Sequence, residues 1–216
     1  MSGSVRSPRS ERSVERLVSF TDGVVAVAIT LLALPLVDLL PESGQSAWDV
    51  VSGNSGPIIA FVFTFAVVAI MWSAHNRVLN GIVDYDATLF WLNLGWLAGI
   101  VLLPWFSNLY GATEMLGTGA DGAGAGAVYW TTLAYISLVG WGMSVHLRRH
   151  PELEAGTDDA AVHGPSALRG LVFAAWFLLT AVVSVVAPDV ASWLPLGIIP
   201  LSIWLRPTYG ARVPAA

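Results

Sequence analysis

The chain has no cysteine, and all ten of its basic Lys/Arg positions are arginine. Only 12% of its 216 residues are charged. Each shortage excludes something. Without cysteine there are no disulfides, no thiolate metal sites and no thiol nucleophile. A soluble domain is about one quarter charged, because water wets most of its surface. Half that share, with 55% hydrophobic residues and a mean hydropathy of +0.67, makes lipid the solvent for most of this surface. The net charge of −5 says little about partners until the charges are placed along the chain. What is plentiful is tryptophan, with ten copies, a side chain suited to the boundary between membrane and water.

A helix needs about 20 mostly apolar residues to cross the hydrocarbon core. Six segments meet or approach that length: 17–37, 58–74, 87–109, 127–147, 168–187 and 190–205. They predict an all-α membrane protein, one six-span domain over residues 1–216, with loops and tails making up the rest. Pro57 suits the first turn of the second span. Pro195 and Pro200 predict a kinked or tilted sixth span, and Pro188-Asp189 is short enough to force spans five and six into a tight hairpin. The basic head followed by an apolar run is not read as a signal peptide, because Asp22 interrupts it and no small-residue cleavage motif follows. The Gly/Ala-rich stretch 117–126 reads as a flexible linker, and its GxGxG look follows no strand.

The charges orient the spans. Arg6, Arg9, Arg12 and Arg16 precede or open span one, and Arg77 lies between spans two and three. Arg148, Arg149 and Arg169 flank the loop between spans four and five, and Arg206 and Arg212 follow span six. The opposite loops carry only acids: Asp38, Glu42, Asp49, Glu114, Asp121 and Asp189. The positive-inside rule then predicts both termini on the cytoplasmic side of a multi-pass membrane protein. The arginine-rich head suits an anionic inner leaflet rather than nucleic acid.

The residues out of place in lipid are few. Asp22 lies one to two turns into span one, where an ionisable group needs a partner and is commonly functional. At 100° per residue, Gly23, Val27, Thr30 and Leu34 share one stripe of that helix, and Asp22 lies about 100° to its side. Arg16, six residues away, is on another face, so the partners of Asp22 must come from neighbouring spans. Trp72 and His75 at the end of span two and Asn93 in span three lie at the matching depth. They predict a buried structural polar network with Asp22, since an unpaired group there costs several kcal/mol. Thr30 is the one polar side chain deep in the stripe, either coordinating a permeating ion or bonding back to the Ala26 carbonyl.

These residues carry a resemblance. Arg16, then Phe20-Thr21-Asp22-Gly23, an Ala/Val/Ile run and Thr30-Leu31-Leu32 resemble the first-helix signature of the lysosomal potassium-channel family, transmembrane protein 175, in its prokaryotic single-repeat members. The family pattern has Ser where Thr21 stands; Trp72-x-x-His75, Asn93 and Pro104 also sit where the family keeps similar residues. By motif the likeness covers about the first half of the chain, and beyond that topology alone. It implies a homotetrameric, potassium-preferring channel for monovalent cations, with no cofactor beyond the permeating K⁺. The first helix of each subunit would line the pore. It further implies a hydrophobic constriction, rather than a filter loop, at Val27, Thr30 and Leu34. The family more often has Ile or Leu at the position of Val27, so this ring is expected to be wider.

Two other functional classes fit the residues less well. A proton-linked secondary cation transporter would use Asp22 and His75 as a titrating pair, but calls for inverted repeats and discontinuous helices that the sequence does not display. A membrane enzyme lacks a Ser–His–Asp set at one depth. His146 and His150 have the i, i+4 spacing of a metal pair, yet Pro151 follows and no third ligand is evident, so no metal is expected. Glu152, Glu154, Asp158 and Asp159 read as a solvated connector. Thr208-Tyr209-Gly210 matches part of a potassium-filter sequence by coincidence, since no pore helices accompany it.

Overall fold

The computed structural model describes residues 8–41, 43–113, 123–155, 160–191 and 194–197. They form α1 (Pro8–Leu31), α2 (Leu34–Val37), α3 (Ala47–Gly53), α4 (Ser55–Asn80), α5 (Ala87–Thr113), α6 (Ala123–Arg149), a 3-10 turn (Pro151–Leu153), α7 (Ala160–Val186), α8 (Pro188–Ala191) and a second 3-10 turn (Leu194–Gly197). Among the described residues, Ile82 and Glu154 make the β-bridge recorded outside helices. Four helical stretches there are long and apolar enough to cross a membrane: Arg12–Val37, Ser55–Asn80, Ala87–Ala112 and Leu168–Val186.

The helices α4 and α7 and most of α5 match the expected spans, each extended by several residues. Three local readings change. The first helix starts at Pro8, ahead of the span, and breaks at Leu32–Ala33, where Ala33 N–H bonds back to Thr30 O in a tighter turn before Pro35. Residues 123–126, read as linker, are the first turn of α6; residues 117–122 lie outside the described residues. The sixth span begins as α8 and a separate 3-10 turn rather than one helix, and residues 198–205 lie outside the described residues, as does Thr208-Tyr209-Gly210.

Helix α6 is 27 residues long, enough for about 40 Å. It is less apolar than its neighbours because it is the central helix, packed between α5 and α7. Tyr129, Trp130, Leu133 and Ile136 are buried there, and its hydroxyls turn inward onto their own backbone: Thr132 to Val128 O, Ser137 to Leu133 O, Ser144 to Gly140 O. A helix wrapped by protein need not be greasy on every face. Two buried clusters hold the bundle. One spans mid-depth and joins Val25 and Ala28 of α1 and Leu32 just after it to Val68, Trp96, Ile100, Tyr129 and Phe177. The other, at the arginine-rich end, joins Val14, Leu79, Ile82, Leu89, Met143 and Leu147.

Close approach rests on glycine. At the crossing of α4 and α5, a Cβ on Gly111 would stand 2.9 Å from Ala60 Cβ and 3.3 Å from Pro57 Cα, neither of which can swing aside. Gly111→Ala is therefore expected to destabilise the protein by about 1–3 kcal/mol. Gly124→Ala, with nothing within 4 Å, should be neutral. Thermal unfolding of both variants in the same membrane mimetic checks the contrast.

Candidate functional site

One face of α1 docks and the opposite face does not. Val14, Leu17, Thr21, Val25, Ala28 and Leu32 are buried at spacings of three and four, the stripe of a helix laid on a core. The docked stripe carries Thr21, and its neighbour Asp22 sits at the stripe's edge, half-buried.

A chain of hydrogen bonds fixes this face. Asn93 Nδ2 donates to Thr21 Oγ1 at 2.9 Å, and Asn93 Oδ1 meets His75 Nε2 at 2.8 Å. Because the amide nitrogen serves Thr21, the amide oxygen must accept, so His75 carries its proton on Nε2. Trp72 Nε1 donates to Asp22 Oδ1 at 2.8 Å. The His75 ring lies flat on Trp96, with centroids 3.8 Å apart and planes 9° from parallel. Thr21, His75 and Asn93 are all buried. Successive residues of α1 thus reach different helices, Thr21 to α5 and Asp22 to α4, because a helix turns by about 100° per residue. Asp22 and His75 belong to adjoining bonds rather than to one shared bond.

The open face carries Gly23, Val27, Thr30 and Leu34, all exposed, Val27 and Leu34 each at 60%. An apolar groove of about 380 Å³ runs beside it, bordered by Ser19, Phe20, Gly23, Val24, Val27, Ala28, Leu31 and, from α5, Val101. Arg16 and Phe20 lie below, also exposed. The Thr30 hydroxyl donates to Val27 O at 2.7 Å, one residue later than the Ala26 carbonyl considered from sequence. Its proton is engaged there, while the oxygen keeps its lone pairs.

Sequence reasoning missed a second buried polar group. Thr64 Oγ1 lies 2.8 Å from both Ser107 Oγ and Tyr129 OH, and Tyr129 stacks on Tyr110 at 5.0 Å. Isolated hydroxyls, Thr64 in the middle of span two and Ser107 near the end of span three, were its only signal. Residues 151–155 of the connector after α6 are more structured than a solvated loop, while Asp158 and Asp159 lie outside the described residues: Val83 N–H donates to Leu153 O at 2.8 Å and Ala155 N–H to Gly81 O at 3.0 Å.

The model of the family described as endosomal/lysosomal potassium channel TMEM175 matches residues 16–104, the stretch that contains both faces of α1 and its polar partners. A potassium channel of Streptomyces collinus is 30% identical over 152 residues, covering 70% of this chain and 71% of that protein. The chain belongs to the TMEM175 family. A potassium channel of a Chryseobacterium species is 33% identical over 103 residues, 48% of each chain. The human endosomal/lysosomal proton channel TMEM175 is 30% identical over 97 residues, but these cover 19% of that longer protein. The fold matches the crystal structure of a lysosomal potassium-selective channel TMEM175 homolog from Chamaesiphon minutus, with a TM-score of 0.72 at 19% identity, covering 90% of this chain and 99% of that one. Family and fold are those of ion channels rather than enzymes, and the chain is a multi-pass protein of the cell membrane.

Asn93 is the joint on which three helices converge. Asn93→Ala would leave a buried hydroxyl and a buried imidazole without their partner, at about 1–3 kcal/mol for each orphaned group. The melting temperature in nanodiscs should fall well below that of the wild type, whereas Thr21→Ser, which retains the acceptor, should stay close to it.

Proposed function

We propose that the chain is one subunit of a potassium-preferring cation channel, assembled as a homotetramer with six spans per subunit and both termini in the cytoplasm. Four copies of α1 line the pore, and Val27, Thr30 and Leu34 narrow it. The observation that carries this reading is the two-faced α1. Its Thr21–Asp22 face is bolted to α4 and α5, yet its opposite face stands exposed along Gly23, Val27 and Thr30, continued beyond the break by Leu34 of α2. One helix cannot enclose a pore, so this face calls for further copies of itself around an axis.

The constriction works by removing water. Rings of Val27 and Leu34 strip or dewet a passing ion, and hydroxyl oxygens between them replace part of the lost shell. The Thr30 bond to Val27 O supports that role, since it holds the hydroxyl with its lone pairs unengaged by hydrogen. Acidic outer loops and the absence of basic residues there raise the local cation concentration at the mouth. Proton-coupled exchange through Asp22 and His75 is the weaker reading, because Asp22 is tied to Trp72 and His75 to Asn93.

Purified protein in liposomes is expected to pass K⁺ in both directions down its gradient, independent of a proton gradient; strict coupling to protons overturns the channel. In bilayer recordings Thr30→Ala should lower the K⁺/Na⁺ permeability ratio by about two- to tenfold, the equivalent of one hydrogen-bond-strength ligand. An unchanged ratio removes Thr30 from the constriction.

A further inference from the structure

At the end of the bundle opposite the arginines, α3 stands almost uncovered. Ala47, Trp48 and Val51 are exposed, Trp48 at 75%. At 100° per residue, Val50, Ala47, Val51 and Trp48 fill one arc of about 160°, and Ser52, Asp49 and Gly53 fill the rest. Val50, at one edge of the apolar arc, is half-buried, and α3 packs on α4. Val37 and Leu40, on the way from α2, are exposed as well.

Local bonds hold this segment as a helix. Ser46 and Asp49 form a capping box, in which Asp49 N–H donates to Ser46 Oγ at 3.2 Å and Ser46 N–H donates to Asp49 Oδ2 at 2.8 Å. The Ser52 hydroxyl donates to Trp48 O at 2.8 Å. Seven residues are nevertheless too few to keep a helix in water by themselves. No residue of α3 is buried, so its own subunit gives it little to lie on. The apolar arc calls for another surface.

The depth of α3 follows from α4. Ser55, Ile59, Val62, Ala66, Ile70 and Arg77 make one exposed stripe of that helix, apolar from Ile59 to Ile70. From Ser55 to Arg77 the helix rises about 33 Å, close to the roughly 30 Å of the hydrocarbon core. Ser55 thus marks one boundary of the core, and α3, which ends just before it at Gly53, lies at the level of the headgroups. Tryptophan favours that level, and an amphipathic helix lies in its plane. The charges select the lipid. No basic residue occurs between Arg16 and His75, whereas Asp38, Glu42 and Asp49 fall in this connection. Such a segment is repelled by anionic headgroups and suits ammonium groups. We propose that α3 is a membrane-surface helix that rests on zwitterionic, ammonium-bearing lipid: Ala47, Trp48 and Val51 enter the acyl boundary, Asp49 and Ser52 face headgroups and water, and the end of the first span beyond its break is thereby tethered to the leaflet.

The absence of native cysteine permits a direct test by site-directed spin labelling of the full chain in phosphatidylcholine liposomes. Ala47→Cys and Val51→Cys place labels on the apolar arc, and Ser52→Cys and Gly53→Cys place them on the polar side, with Trp48 and the Asp49 cap left intact. A Cβ at Gly53 meets nothing within 4 Å, so that label fits. Oxygen, which partitions into lipid, should dominate collisions at 47 and 51, and a water-soluble nickel chelate at 52 and 53. Adding Trp48→Ser should shift the label at 51 toward the nickel chelate, whereas Trp48→Phe should hold it in lipid. Replacing phosphatidylcholine by phosphatidylglycerol should lower the lipid-bound fraction at 51 by about fivefold relative to the lifted one, the factor of one unit charge beside an anionic surface. Labels that all favour nickel overturn the proposal in favour of a segment standing in water. Labels at 47 and 51 shielded from both reagents, with dipolar broadening between copies, overturn it in favour of a subunit contact. An unchanged signal in phosphatidylglycerol overturns the headgroup assignment. None of these results bears on the Thr30 permeability ratios, because α3 holds no residue of the constriction.

Discussion

A primary amide buried in a membrane bundle cannot borrow water, so both its ends must find protein partners. Asn93, fully buried in α5, meets that constraint by donating to Thr21 of α1 and accepting from His75 of α4. The rest of the arrangement depends on this joint. It sets the rotation of α1 about its own axis, because Thr21 can reach Asn93 only if the Val14–Leu32 stripe faces inward. That rotation in turn leaves Gly23, Val27, Thr30 and Leu34 facing away from their own subunit. Apolar packing alone would tolerate a helix turned by some tens of degrees, since Val and Ala fit many grooves. A hydrogen bond of 2.9 Å does not.

The same economy of polar groups appears at two other levels of the bundle. Thr64, Ser107 and Tyr129 tie α4, α5 and α6 together on the far side of the Asn93 joint. At the arginine-rich face, Asp86 joins α5 to α6 through His146 while capping α5 itself. These three links, with the Trp72–Asp22 and Tyr135–Gly95 hydrogen bonds, bind helices that otherwise pack mainly through apolar side chains. Between them, small residues such as Gly111 let backbones approach closely enough for these short side chains to meet.

How much was legible beforehand differs by element. Spans two, three and five could be read from hydropathy because lipid demands long apolar runs. Polar candidates around Asp22 were legible as well, since Trp72, His75 and Asn93 are costly residues at one depth. Their pairing was not: the sequence places Asp22, His75 and Asn93 in one group, whereas the side chains divide into an Asp22–Trp72 bond and a Thr21–Asn93–His75 chain. Residues 123–126 misled because Gly and Ala signal both flexible linker and close-packed helix, and only the packing of α6 between α5 and α7 selects helix. The break at Leu32–Ala33 had a visible cause in Pro35, which lacks the N–H an unbroken helix would require.

The amino-acid sequence by itself determined the solvent, the long apolar spans, the side on which the arginines gather and the Gly23–Leu34 stripe of the first span, because each follows from composition and the fixed 100° step of a helix. Tertiary structure decided which stripe of α1 docks, which hydroxyl answers Asn93, and that His146 and His150 face carboxylates from another loop and their own turn. These are contacts between residues far apart in the chain. Hydropathy and periodicity describe one segment at a time, whereas a hydrogen bond needs the position of both its ends.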